Sequence, residues 1–460
     1  MDRYFTNNSE LVKFKLALDG ISIYRHLRKD KVIIRLYELI DYVDKGEIEL
    51  SNFINIYNDF FFELNCNSIS SLKDYIIDRI IFDENPYSLK IGTMESTQMI
   101  KLMEEAVAND LDNLQLVSEF TPTIIKSCVI KHFEEKQFEI KIIEKLSEWQ
   151  IYDEKNNEDT SCTNYLKQIK HIFNKSKKWS ECVHDLGEFY EKHGCGLFAR
   201  YRAFIWERSS NSAGYLRGID SPDPIALSDL IGYESQRLTI IENTLQFLNS
   251  FPANNMLLYG SRGTGKSSTV KAILNEYYMK GLRIIEVPKE HLSDFPDIIR
   301  CLKNRPQKFI IFIDDLTFED GEKGYASLKA VLEGSLESKP NNVLIYATSN
   351  RRHLVKEYFH EREGLQSSNK NDEVHAADSI QEKLSLADRF GITVSFLAPD
   401  KNEYLEIVEG IAKKRNLNID KEKLLSDALK WELWNNGRSP RTARQFIDWI
   451  EGHSGMGNLK

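Results

Sequence analysis

The stretch GSRGTGKS (Gly260–Ser267) follows the apolar run NMLLY and precedes the amphipathic segment SSTVKAILNEYYMK. It fits the pattern G-x-x-x-x-G-K-[ST], which between a strand and a helix directs backbone N–H groups at phosphate oxygens. Glycines permit the tight turn, and the N-terminus of the following helix favours an anion. The sequence therefore predicts a phosphate-binding loop comprising Gly260, Ser261, Arg262, Gly263, Thr264, Gly265, Lys266, Ser267 and Ser268.

A second motif, FIIFIDD (Phe309–Asp315), is an apolar run that ends in two carboxylates. A buried central strand delivers such acids to the carboxyl edge of a sheet. With the phosphate loop, this predicts that Lys266 reaches the β- and γ-phosphates and that Ser267 and Asp314 hold Mg²⁺, Asp314 through water. Asp315 is then expected to orient the attacking water or accept its proton. Alternatively, the two acids simply open a solvated loop.

Short apolar runs alternate with amphipathic stretches in the second half of the chain: NMLLY, LRIIEV, KFIIFI, VLIYA and ITVSFL. This alternation predicts a parallel sheet covered by helices. The pattern from about Asn8 to about Glu207 is helical, and a break rich in Ser, Gly, Asp and Pro spans Ser209–Leu230. We predict a helical N-terminal domain over 1–215, a nucleotide-binding domain over 216–398 and a helical lid over 399–460. Glu361–Glu382 is polar and is predicted to be a loop.

Composition narrows the possible functions of the 460-residue chain. Its 61 basic and 70 acidic residues give a net charge of −9, which argues against bulk electrostatic binding to nucleic acid or anionic lipid. No run of about 18 apolar residues or secretory signal pattern occurs, so we expect no membrane partner. Six scattered cysteines are typical of reduced thiols, and we expect a cytoplasmic location.

The order of five segments resembles that of the AAA+ superfamily of ATPases. The two motifs above are followed by VLIYATSN (Val343–Asn350), LADRFGI (Leu386–Ile392) and GRSPRTAR (Gly437–Arg444). The resemblance implies an α/β fold with a parallel-sheet P-loop AAA+ core, a helical C-terminal cap and an all-α N-terminal domain. It also implies ATP and Mg²⁺ as ligands, and it places Asn350 at the sensor-1 position, where it helps to position the lytic water.

The same resemblance implies roles for two arginines. LADRFGI is similar to the segment of branch-migration motors that carries an arginine finger, which implies that Arg389 reaches the γ-phosphate of a neighbour in a homo-oligomer. The alternative is a surface pair of Asp388 with Arg389. GRSPRTAR resembles the sensor-2 motif, with Arg441 as the matching residue and Arg438 and Arg444 as competitors. Plain solvated charge is the alternative there.

The segment DLIGYESQRLTIIENTLQFLNSFPANN (Asp229–Asn255) resembles the part of AAA+ proteins that packs around adenine. Ile231, Gly232 and Tyr233 are therefore candidate base contacts, although an isoleucine and a tyrosine near a helix start are as often ordinary core. Over about Ser221–Gly452 the chain resembles a bacterial family of single-module ATP-binding proteins of unknown function with a helical N-terminal region.

The resemblance has one departure and leaves two functions open. Many AAA+ enzymes have Glu after the magnesium aspartate, whereas Asp315 is one methylene shorter. The chain is predicted to hydrolyse ATP and thereby drive a conformational change in an oligomer. The alternative is a slow or non-hydrolysing ATP-gated binding or loader protein for a protein or nucleic-acid partner. A small-molecule kinase is less compatible with the sensor-2 motif.

A possible zinc site is formed in sequence by Cys182, His184, His193 and Cys195. The spacing differs from that of standard zinc fingers, and residues two apart on a helix point to different sides. The pattern therefore favours buried thiols with incidental histidines over a metal site.

Overall fold

The computed structural model describes residues 9–67, 71–91, 97–133, 136–149, 164–209, 213–318, 323–333, 340–350, 386–435 and 437–457. The predicted loop Glu361–Glu382 lies outside these residues. Contacts along the chain divide it into two compact units, Met1–Arg200 and Tyr201–Lys460.

The described part of the first unit is helical. In the helix Lys31–Asp44, buried residues recur at a spacing of three or four. Its N-terminus is capped by the Asp30 carboxylate, which accepts from the Val32 N–H at 3.0 Å. The helices are α1 Ser9–Asp19, α2 Lys31–Asp44, α3 Leu50–Asn65, α4 Leu72–Phe82, α5 Pro86–Lys90, α6 Thr97–Ser118, α7 Pro122–His132, α8 Gln137–Glu144, α9 Asn164–Lys175, α10 Val183–His193 and α11 Gly196–Arg200.

The core of this unit combines aromatic packing with one buried carboxylate. The Trp149 ring lies 4.9 Å from that of Phe60 and 5.2 Å from that of Tyr57, measured between centroids. The buried Asp110 on α6 accepts from the backbone N–H groups of Ile23 at 2.6 Å and Tyr24 at 3.0 Å. These bonds fix the turn after α1, because a buried carboxylate is costly unless it is hydrogen-bonded.

The second unit is built on a seven-stranded sheet in the order β2-β1-β4-β5-β6-β3-β7. All neighbours pair in parallel except β1 and β2, which form an antiparallel hairpin at one edge. The strands are β1 Ala203–Glu207, β2 Tyr215–Gly218, β3 Met256–Gly260, β4 Leu282–Glu286, β5 Lys308–Ile313, β6 Val343–Ser349 and β7 Ile392–Phe396.

The five parallel strands predicted from the apolar runs are confirmed, whereas the predicted extent of the N-terminal helical region was wrong at its end. Ala203–Glu207 is a strand that pairs with β4, and it extends the sheet of the second unit. Burial of Phe204 and Trp206 against this sheet outweighs the helical pattern that precedes them. The predicted domain boundary after residue 215 falls inside β2. It lies fifteen residues beyond Arg200, where the first compact unit ends.

The order of the strands brings the predicted site segments together, and helices cover the sheet. The connection between β3 and the helix that follows it is the predicted phosphate loop, and β6 lies between the loop strand β3 and the acidic strand β5. Consequently the carboxyl ends of three adjacent strands present the loop, the two acids and Asn350 at one edge. The helices are α12 Glu234–Leu248, α13 Lys266–Tyr277, α14 Phe295–Leu302, α15 Lys323–Glu333, α16 Lys401–Lys414, α17 Lys421–Trp434 and α18 Pro440–Gly457.

Two of the hydrophobic clusters formed by the described residues of this unit border the site. One joins the sheet to α12 and α13, and the other joins α16, α17 and α18. Tyr233 packs against both clusters. We refer to α16–α18 as the lid, and its separation from the sheet at residue 399 stays a prediction. The helices in the described ranges are all too short or too polar to cross a bilayer.

We predict opposite stability effects for two glycine substitutions. A Cβ at Gly260 (φ +137°) would lie 2.1 Å from the Phe396 carbonyl oxygen, so Gly260→Ala should lower stability by about 1–3 kcal/mol. Gly452 on α18 has nothing within 4 Å of such a Cβ, so Gly452→Ala should raise stability by about 0.5–1 kcal/mol. Urea midpoints of the full chain measure both effects. An unchanged midpoint for Gly260→Ala would contradict the contact with β7.

Candidate nucleotide site

The loop between β3 and α13 is held in shape by its own backbone and by its neighbours. The Ser261 N–H donates to the Phe396 carbonyl of β7 at 2.9 Å, and Thr264 Oγ1 donates to the Ser261 carbonyl at 2.8 Å. Gly263 has φ +76°, and a Cβ there would press on Ser439 and Arg441 of the lid segment. A side chain at Gly263 is therefore disfavoured by its positive φ and by these close neighbours.

Lys266, the first residue of α13, carries a buried ammonium group. The residue is 6% exposed, and Nζ donates to the carbonyl oxygens of Gly260 at 3.0 Å and Ser261 at 2.7 Å. Nζ also lies 3.4 Å from Asn350 Oδ1. Burial lowers the pKa of Lys266, and the negative charges of the nearby acids oppose that shift. Oxygen atoms of the loop and of Asn350, which follows β6, thus compensate for the hydration that the Lys266 ammonium has lost.

The two acids after β5 meet groups from the loop and from the end of β6. Asp314 Oδ1 accepts from Ser267 Oγ at 2.6 Å and from Thr348 Oγ1 at 2.5 Å. Asp315 Oδ1 accepts from Asn350 Nδ2 at 2.6 Å. Asp315 has φ +51°, and its N–H donates to Thr348 Oγ1 at 2.9 Å. A hydroxyl and a carboxylate in contact are the oxygen ligands that Mg²⁺ prefers, so this pair fits a magnesium site.

A cavity of about 490 Å³ lies between this sheet edge and the lid. The lid contacts the loop directly, because the Arg441 N–H donates to the Gly263 carbonyl at 3.1 Å. The described lining is Asp229, Leu230, Ile231, Tyr233, Arg237, Arg262–Thr269, Asp314, Asp315, Thr348, Asn350, Phe396, Ile407, Ile411, Pro440, Arg441 and Arg444. Predicted residues from every motif except LADRFGI therefore meet at this cavity.

A family model described as "Protein of unknown function (DUF815)" matches residues 199–454 of the chain. The chain belongs to this family. Its fold is the AAA+ P-loop fold, with a mostly parallel sheet, the phosphate loop after β3 and the acids after β5. The assignment made from sequence, to an AAA+ P-loop family of unknown function, is thereby confirmed, whereas hydrolysis of ATP stays a prediction.

Similar proteins match this DUF815 member only over part of their length. The 26S proteasome regulatory subunit 4 homolog of Schizosaccharomyces pombe is 34% identical over 70 residues, which are 14% of this chain and 16% of the subunit. A solved structure of the Thermotoga maritima RuvB Holliday junction branch migration motor has a TM-score of 0.35 and 17% identity. That match covers 50% of this chain and 65% of the motor.

Two of the three predicted base contacts line the cavity. Ile231 and Tyr233 line the cavity, and both also pack against the lid cluster. Burial raises the pKa of Tyr233 to about 12, and its hydroxyl donates to the Leu397 carbonyl at 2.5 Å. Gly232 lies behind the lining, where a Cβ would be 3.1 Å from Ile407. Ile231 and Tyr233 are thus core residues that also form part of the cavity wall, and their contact with a base stays a prediction.

The candidate sensor-2 and finger arginines lie in different places relative to the cavity. Arg438 Nε pairs with Glu432 Oε2 at 2.7 Å, whereas Arg441 and Arg444 line the cavity. Arg389 lies in the turn before β7, and the described cavity lining does not include it. Two of the three sensor-2 candidates thus face the cavity of their own chain, and the finger candidate does not.

Thr348 is a site residue that the sequence analysis missed. It is 2% exposed, and its hydroxyl contacts both acidic residues. Since residues two apart in a strand share a face, its position two residues before Asn350 was a usable signal. Arg237 and Ile407 also line the cavity without having been predicted.

The possible zinc ligands have other surroundings. Cys182 and Cys195 are buried thiols, and the buried His193 ring stacks on Tyr165 with centroids 4.2 Å apart. His184 Nε2 lies 3.2 Å from Glu188 on the same helix. Within the described ranges, no group of three or more His, Cys, Asp or Glu side chains is placed to hold a metal ion.

The lowered pKa of Lys266 predicts a pH dependence of stability. Between that lowered pKa and the usual value of 10.5, the unfolded chain holds a proton that the folded chain has lost. The free energy of unfolding of the wild type, relative to Lys266→Met, should therefore rise as pH increases from neutral towards 10.5. Urea midpoints of both proteins across this range measure the difference. A constant or falling difference would contradict the desolvation of Lys266.

Proposed function

We propose that this chain binds Mg·ATP in the cavity between the phosphate loop and the lid, and hydrolyses it as part of a homo-oligomer. The observation that carries the proposal is the contact of Ser267 with Asp314 beside the buried ammonium of Lys266. A phosphate loop, an oxygen pair suited to Mg²⁺ and a buried cation in one cavity are together the requirements for binding a nucleoside triphosphate.

Phosphate binding uses the groups of the loop and lid. Lys266 Nζ now donates to the Gly260 and Ser261 carbonyls, and we propose that it turns to phosphate oxygens, which relieves its desolvation. The N-terminus of α13 contributes N–H groups and the positive end of the helix dipole. Arg441 adds a guanidinium from the lid, held close by its N–H bond to Gly263.

Ser267 and Asp314 would hold the metal ion in this proposal. When bound, Mg²⁺ neutralises charge on the phosphates and orients them. Ser267 contributes its hydroxyl oxygen, and Asp314 contributes a carboxylate that ligates directly or through water. Asp314 directly follows β5, and Ser267 lies in the first turn of α13. Both metal ligands are therefore held by rigid elements.

For turnover, we propose that Asp315 orients the attacking water and takes its proton. Asn350 Nδ2 donates to Asp315 Oδ1 at 2.6 Å and thereby fixes the carboxylate at the end of the cavity near Lys266. We propose that the side-chain amide of Asn350 also positions the γ-phosphate. The remaining carboxylate oxygen of Asp315 accepts the proton.

The oligomer is proposed from Arg389. This arginine lies outside the described lining of its own cavity, in a turn that precedes β7. A guanidinium contributed by a neighbouring subunit would complete the charge stabilisation at the γ-phosphate. A cytoplasmic location is also part of the proposal, and the free thiols of the five described cysteines support it.

We predict that the specific ATPase rate of the wild type rises with protein concentration, because each active site needs two subunits. Arg389→Ala should lower the rate about 10³-fold or more, since an arginine finger has at least this effect. Mixing Arg389→Ala with Asp315→Asn should restore part of the rate, because mixed interfaces combine an intact Asp315 with an intact Arg389. A rate independent of concentration, with no recovery on mixing, would contradict shared sites.

A second candidate function is an ATP-gated binding or loader protein with little turnover. The short Asp315 side chain, already held by Asn350, favours it. On this alternative, Lys266→Ala abolishes ATP binding while Asp315→Asn leaves the slow turnover unchanged. On the ATPase proposal, Asp315→Asn lowers turnover at least about 10²-fold and retains ATP binding. Calorimetric ATP binding and phosphate release on both variants discriminate the two.

A further inference from the structure

We infer that the hydroxyl of Thr348 positions the two acidic residues of the site, directing Asp314 towards Mg²⁺ and Asp315 towards the attacking water. Thr348 lies on β6, next to the acidic strand, and is 2% exposed. Because both roles belong to the proposed function, the inference rests on that function. Thr348 is a positioning residue, since it acts through the two acids.

The hydrogen-bond inventory of a threonine fixes the direction of these contacts. The hydroxyl has a single hydrogen. The Asp315 N–H is itself a donor, so Thr348 Oγ1 accepts this bond at 2.9 Å and gives its own hydrogen to Asp314 Oδ1 at 2.5 Å. A short O–H···O⁻ bond of this kind is charge-assisted and stronger than a neutral one.

The same oxygen of Asp314 is shared by two hydroxyls. Ser267 Oγ and Thr348 Oγ1 both donate to Oδ1, from α13 and β6 respectively. We propose that Ser267 turns to the metal and that Thr348 keeps its bond, so the carboxylate does not rotate. Groups that orient a ligating carboxylate in this way typically change metal affinity 10–100-fold when removed.

The bond to Asp315 acts on the backbone. Asp315 has φ +51°, a left-handed conformation that is unfavourable for most residues other than glycine. The Thr348 hydroxyl accepts its N–H, and the Thr348 carbonyl accepts the N–H of Leu316 at 2.7 Å. These two bonds hold the strained turn, which directs the Asp315 side chain to Asn350.

The experiment compares Thr348→Val, which keeps the shape but lacks the hydroxyl, with Thr348→Ser, which keeps the hydroxyl. ATP binding is measured by calorimetry in EDTA and at increasing free Mg²⁺. For Thr348→Val, the free Mg²⁺ concentration that gives half-maximal tightening should rise about 10- to 100-fold, with ATP affinity in EDTA unchanged. Thr348→Ser should resemble the wild type. In the Asp314→Asn background, Thr348→Val should not change the Mg²⁺ response further, because Thr348 acts on the metal through that carboxylate.

Each outcome decides the inference. If Thr348→Val and the wild type respond equally to Mg²⁺, the inference is overturned and the proposed function stands. If ATP binding by the wild type does not depend on Mg²⁺, both are overturned. If Thr348→Val loses ATP binding in EDTA, this variant does not isolate the effect on Mg²⁺. Thr348→Cys, which has only a weak S–H donor, then takes its place with the same expected result.

Discussion

The buried ammonium of Lys266 imposes the main constraint on this site. An isolated charge in a protein interior is costly, so the chain must surround it with oxygen atoms. The carbonyls of Gly260 and Ser261 supply two of them, which requires the loop to turn back over its own first residues. This path of the loop requires the positive φ values of Gly260, Gly263 and Gly265. The conformation of the loop and the lowered pKa of Lys266 therefore have one physical origin.

The sheet contributes the rest of the arrangement through register. Ile313, the last residue of β5, pairs with Ala347 of β6, so the residues that follow the two strands emerge side by side. The loop strand β3 flanks β6 on its other side. Because strands are rigid and parallel here, three short segments that are distant in sequence meet with hydrogen-bond contacts of 2.5–3.4 Å.

Much of this could be predicted from sequence, because continuous apolar runs identify buried parallel strands and a glycine-rich loop identifies a phosphate site. The hairpin of β1 and β2 could not be predicted in this way. AFIWE follows a long helical pattern, and YLRG is short and only partly buried at the edge of the sheet. Spacing could not decide between Arg438 and Arg441 either. Arg438 pairs with Glu432 of α17 and so does not line the cavity. The sequence does not reveal this pairing, because it forms only when the chain folds.

The connection between β7 and the lid has a further consequence. Only Leu397–Asp400 separate the end of β7 from the start of α16, and the Tyr233 hydroxyl holds the Leu397 carbonyl. A connection this short keeps the lid within reach of the loop at all times. The effective concentration of the lid arginines at the cavity is therefore high, in the millimolar range or above that is typical of short tethers. Arg441 and Arg444 consequently incur little of the entropic cost that a group on a separate molecule would incur to reach the same cavity.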